Sequence, residues 1–110
     1  MHFSRGNYST ALRLLEQVRA KHEQSNDTRR VALCDRDRAE IYLQLNLFED
    51  AARLAEGAYK LFEGLGNKYE AAMCLTFQAI AEFKLVELVI VDAVAELGEC
   101  VGNFVFKAIQ

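Results

Sequence analysis

The sequence predicts an all-α fold of antiparallel helix hairpins, and three observations carry that expectation. Between Asn46 and Asn67, apolar residues fall at spacings of three and four, the period of one helical face. The same arrangement recurs 40 residues away along the chain. Proline, which punctuates loops and cannot sit inside a helix, is absent from all 110 residues, as suits long helices joined by very short turns.

The first helix is expected over about 8–24, with Gly6 at the turn before it and Asn26 at the turn after it. The second follows over about 28–45, opened by Asp27 as N-cap and closed by Asn46. The third, about 47–64, carries Phe48, Ala51, Ala52, Ala55, Ala58, Tyr59, Phe62 and Leu65 on one face and stops at Gly66. Asn67 then caps a fourth helix, with Glu70 three residues on as the second half of a capping-box-like pair. The turn residues correspond in pairs: Gly6 lies over Asn46, and Asn26 over Gly66, all residues that tolerate the left-handed conformation ending a helix. Packing residues correspond as well, with Ala11 over Ala51, Ala32 over Ala72, Cys34 over Cys74, and Ala39 over Ala79.

The repeat breaks at Val86, which stands where Gly6 and Asn46 stand earlier. A β-branched residue is among the poorest choices for a left-handed turn. The fourth helix is therefore expected over about 68–97, with a break near Val86 left open, Gly98 as its stop, and a C-terminal helix beyond. From Val86 to Ile109 apolar residues are dense, and Asp92, Glu96, Glu99, Asn103 and Lys107 form one narrow polar stripe, which suggests a helix buried on most sides. Acidic residues interrupt the segment too often for a membrane span. Gly98 and Gly102 would allow close helix approach. A strand reading of Val86–Val91 and Phe104–Phe106 stands beside the helical one, because β-branched and aromatic residues favour strands. If the helix runs on, its apolar face calls for a second chain, and Val86, Ile90, Val94 and Leu97 are the residues expected to self-associate. If it turns back, residues 86–110 form a divergent capping helix over a repeat region at 1–85.

Composition narrows the function. A formal charge of −3 with scattered basic residues argues against a nucleic-acid surface. Met1 to Ala20 carries charges throughout and does not read as a secretory leader, so a cytoplasmic location is expected. Cys34, Cys74 and Cys100 are widely spaced and suit reduced, buried thiols; no closely spaced set suggests a metal site. His2 and His22 have no nucleophile or carboxylate at motif spacing, and no phosphate-binding loop or hydrolase motif is present. No catalytic residue, cofactor or metal is expected.

From Ala39 to Ala58 the pattern A-x-x-Y-L-x-L-N-L-F-E-D-A-x-x-x-A-x-x-A resembles a tetratricopeptide repeat across the junction of its two helices. Phe48, Ala51 and Ala58 match that family's aromatic and small residues, as do Tyr8 and Ala11 one repeat earlier. Ala39 stands where the family often has glycine, and the period is 40 instead of 34. Long repeats of this kind resemble those of bacterial signalling regulators and of arrays attached to CHAT-type proteases. The resemblance implies a scaffold for protein–protein interaction or self-assembly, or alternatively a regulatory or sensor segment of a larger protein. The family's groove-lining positions fall here on Arg36, Glu40, Leu43 and Gln44, followed by Thr76, Ile80, Phe83 and Lys84. Such a groove would hold a protein or peptide partner. The run Asp35-Arg-Asp-Arg-Ala-Glu40 reads either as part of that groove or as a solvated helix face with local ion pairs.

Overall fold

The computed structural model describes residues 7–109, which form four α-helices: α1 (Tyr8–Gln24), α2 (Thr28–Gln44), α3 (Phe48–Gly64) and α4 (Lys68–Ile109). Gly6 and His2 lie outside the described residues. Consecutive helices pack on one another, and α2 also touches α4, while α1 and α3 do not meet. This is the all-α hairpin array expected, with α2 and α4 side by side on one surface.

Each of the first three helices is 17 residues long and ends in the same way. Asn26, Asn46 and Gly66 take φ values of 57°, 61° and 73°, the left-handed conformation that asparagine and glycine accept most readily. In each turn the next amide reaches back five residues: Asp27 N–H donates to the His22 carbonyl, Leu47 to Tyr42, and Asn67 to Phe62. That same residue then opens the following helix. The Asp27 and Asn67 side chains accept from the amides of Arg30 and Glu70 at 3.2 and 3.1 Å, closing orphan donors of the first turn. Leu47 has no capping side chain, and there Glu49 and Asp50 place negative charge in the first turn.

Alanine sets the spacing of the array. Ala32, Ala58, Phe62, Ala71 and Cys74 form one buried cluster that joins α2, α3 and α4. Ala39, Leu54 and Ala55 form a second between α2 and α3, with Tyr42 and Phe77 against it. Small side chains at the contact let helices approach closely, so the array is held by backbone proximity as much as by large side chains. Leu65, expected on the inner face of α3, is exposed in the turn, and Leu54 takes part in the core instead.

α4 runs on past Val86, one of the two courses expected, and corrects two other expectations. It is one helix of 42 residues, unbroken at Val86, not stopped at Gly98, and with no separate C-terminal helix. The stretches that also read as strands, Val86–Val91 and Phe104–Phe106, are helical throughout. A left-handed turn at Val86 would cost about 1–2 kcal/mol, whereas a β-branched residue inside a helix costs a few tenths. Gly98 and Gly102 sit within the helix, where each costs about 1 kcal/mol relative to alanine. The segment 86–109 does not fold back as a cap. A helix of this length spans about 63 Å, and the molecule accordingly measures 72 Å along its longest axis. Its radius of gyration is 19.7 Å, against about 13 Å for a compact domain of this size.

Candidate functional site

Two surfaces stand out on this frame: the charge run on α2 and the far half of α4. Asp35 lies four residues from Val31 and from Ala39, on the buried side of α2, and is itself 6% exposed. A carboxylate there needs partners, and α1 supplies one. Arg19 Nε donates to Asp35 Oδ1 at 2.8 Å, and Arg38 approaches both Asp35 and Glu16 at 3.5 Å. The hydrogen bond to Asp35 raises the pKa of Arg19 further, so the guanidinium stays charged at any ordinary pH.

Arg36 points the other way, toward α4. Its guanidinium donates to Glu70 at 2.6 Å and to Asp37 at 3.0 Å. Burial opposes its charge, but the bonds to Asp37 and Glu70 outweigh that and its pKa is raised. Glu70 is thereby drawn away from the reciprocal capping contact with Asn67, whose own amide bonds to Phe62. Within the run from Asp35 to Glu40, Asp35 and Arg38 thus tie α2 to α1, and Arg36 ties it to α4. The sequence signal was available: Asp35 falls on the apolar helical face at i−4 and i+4 from core residues. Arg19, Glu16 and Glu70, the partners, carried no comparable sign.

The remaining groove positions are scattered in exposure. Glu40 and Leu43 are half-buried; Gln44, Ile80 and Phe83 are exposed. The Thr76 hydroxyl donates to the Ala72 carbonyl at 3.0 Å, and Lys84 pairs with Glu87 at 3.4 Å. Of the eight positions, the structure draws Arg36 into a contact between α2 and α4, through Glu70, which was not among them.

The cysteines offer no accessible nucleophile among the described residues. Cys34 and Cys74 are both buried, and Cys100 has no described side chain. Burial pushes the Cys74 thiol up to about 11 and raises Cys34 as well, which keeps both protonated. His22 is half-buried on α1. Among the described residues no group of His, Cys, Asp and Glu could hold a metal ion, and no helix is long and apolar enough to cross a membrane.

The far half of α4 is the larger feature. A groove at the α2–α3 turn, lined by Asn46, Phe48, Lys84, Glu87, Leu88 and Val91, marks how far the array reaches along it. Val86, Leu88, Val89, Ile90, Val91, Val94, Leu97 and Val101 are between 52% and 68% exposed. All four residues expected to self-associate are among them. The expectation of a helix buried on most sides is corrected: within the chain nothing described covers it. The stripe also extends into the first half of α4. Tyr69, Ala72, Thr76, Ala79, Phe83, Val86, Ile90, Ala93 and Leu97 alternate in steps of three and four, and every one is exposed. An apolar stripe with a 3.5-residue mean period is the seam two packed helices share.

No known protein family, curated protein or solved structure matches the chain.

Proposed function

We propose that this chain is a tetratricopeptide-like, non-catalytic interaction module whose principal act is self-assembly through α4. The observation that carries the reading is the continuous apolar stripe on α4, open to solvent from Val86 to Val101. Contiguous exposed apolar surface of this size is uncommon on a protein that works as a monomer, because leaving it in water forgoes the main favourable term of association. The buried, protonated state of Cys34 and Cys74 supports a binding role over a catalytic one. The engagement of Arg36 with Glu70, and of Lys84 with Glu87, weakens a peptide groove between α2 and α4 as the main site. A cytoplasmic location belongs to the same reading.

Light scattering at several concentrations tests it. The wild-type chain is expected at a multiple of its 12.4 kDa mass, and Ile90→Asp with Val94→Asp at the monomer mass with helicity retained. Both sites are exposed, so the substitutions leave the array's own core intact. A wild-type monomer at every concentration overturns the proposal.

A further inference from the structure

Repeat symmetry indicates what the uncovered face of α4 is built to meet. In α2, Ala32 and Ala39 are fully buried, and the helix that buries them is α3, through Leu54, Ala55, Ala58 and Phe62. Their counterparts 40 residues on, Ala72 and Ala79, are exposed. The face is therefore a packing face without its covering helix among the described residues. The buried residues of α3 are Ala51, Leu54, Ala55, Ala58 and Phe62, in steps of three, one, three and four. The far half of α4 carries the same steps in Ile90, Ala93, Val94, Leu97 and Val101, and all five are exposed. It has a ridge of the kind that fits the Ala72 and Ala79 face. It cannot reach that face in its own chain, being the straight continuation of the same helix. A second copy can.

Charge sets the direction. Residues 86–110 hold Glu87, Asp92, Glu96 and Glu99 against Lys107 alone. A parallel pair would lay these acidic halves side by side, where like charges repel. An antiparallel pair sets each against residues 68–85, where Lys68 and Lys84 balance Glu70 and Glu82. Antiparallel is also how α3 lies on α2 across their short turn.

We infer that two copies pair antiparallel along α4, the face from Ile90 to Val101 of each covering Ala72 and Ala79 of the other, about a two-fold axis near Val86. This rests on the self-assembly reading above and adds its direction and register. The large apolar side chains on the stripe itself, Tyr69, Leu75, Phe83, Val86, Ile90, Val94, Leu97 and Val101, are between 46% and 72% exposed, and at roughly 100 Å² for each fully buried one each copy offers on the order of 500 Å². Two copies reach about 1,000 Å², the size of the smaller specific interfaces.

The test is site-directed cross-linking in a Cys100→Ser background, where Cys34 and Cys74 remain buried. Ala79→Cys and Ala93→Cys are made singly and together, treated with a short bismaleimide, and the mass in solution is measured alongside. In the antiparallel pair residue 79 of one copy lies beside residue 93 of the other, while the two sites within one helix are about 21 Å apart. The expected result is a covalent dimer from the double variant and none from either single variant. A covalent dimer from Ala93→Cys alone overturns the antiparallel register and leaves self-assembly standing. A dimer in solution that cross-links in no variant overturns the register too. A monomer throughout overturns both the inference and the reading beneath it.

Discussion

Asp35 is the residue on which the first half of the molecule turns. Its carboxylate is buried, and both its cationic partners come to it: Arg19 across the α1–α2 interface and Arg38 from one turn on. Asp35→Ala removes the shared acceptor and leaves Arg38, itself largely covered, with Glu16 alone at 3.5 Å. The expected loss is about 2–3 kcal/mol in chemical denaturation, mostly the penalty of stranding charge. Asp37→Ala, which removes a more exposed carboxylate, is expected to cost under about 1 kcal/mol. Equal effects would count against an interhelical tie. Cys74 makes a second residue-scale prediction. Its pKa rises from 9.0 to about 11 on folding because burial disfavours the thiolate. The folded state holds that proton more tightly, so the associated stability is intact below pH 9 and is lost as pH rises toward 11. A shift of that size corresponds to roughly 2–3 kcal/mol. Since tyrosines and lysines titrate in the same window, the readout is the difference between wild type and Cys74→Ala across that range. The variant's stability should fall less steeply with alkali.

At the scale of the element, the array is governed by its turns. Asn26, Asn46 and Gly66 each sit at positive φ, and each lets one helix stop and the next begin within three residues. Asn46→Gly should be near neutral, whereas Asn46→Val should cost about 1–2 kcal/mol, because a β-branched side chain clashes with its own carbonyl in that conformation. A thermal melt of the two variants makes the comparison. If both behave alike, backbone strain is not what ends α2. Val86 is the natural form of the second substitution: it stands at the equivalent place of α4, and there the helix continues. The difference between a hairpin of two equal helices and one with a projecting arm therefore rests largely on one side chain.

Across the whole molecule, the consequence is an elongated body with its apolar surplus at one end. The array itself is closed by alanine contacts and ion pairs, and α4 carries the open stripe away from it. If assembly covers that stripe, association and folding are linked, and the thermal midpoint must rise with protein concentration. Val94→Asp is expected to abolish the concentration dependence. A midpoint that is equally independent of concentration in the wild type would show that the stripe contributes nothing to stability through self-association.

What the sequence determined by itself is what short stretches of chain decide. The left-handed turns, the caps of Asp27 and Asn67, and the inward alanines of α3 were all legible, since steric strain at φ > 0 and a helix's period act over a few residues. Burial is a property of what lies opposite, and there the sequence misled. Ala32 and Ala72 are the same residue at the same repeat position, yet one is buried beneath α3 and the other is exposed. Glu70 read as a cap and became the partner of Arg36, a residue 34 positions away. The course of α4 past Val86 was legible in that β-branched side chain, whereas its course past Gly98 was settled only by the tertiary structure. Dense apolar residues indicate only that a face seeks cover, and what covers it depends on geometry that no local pattern encodes.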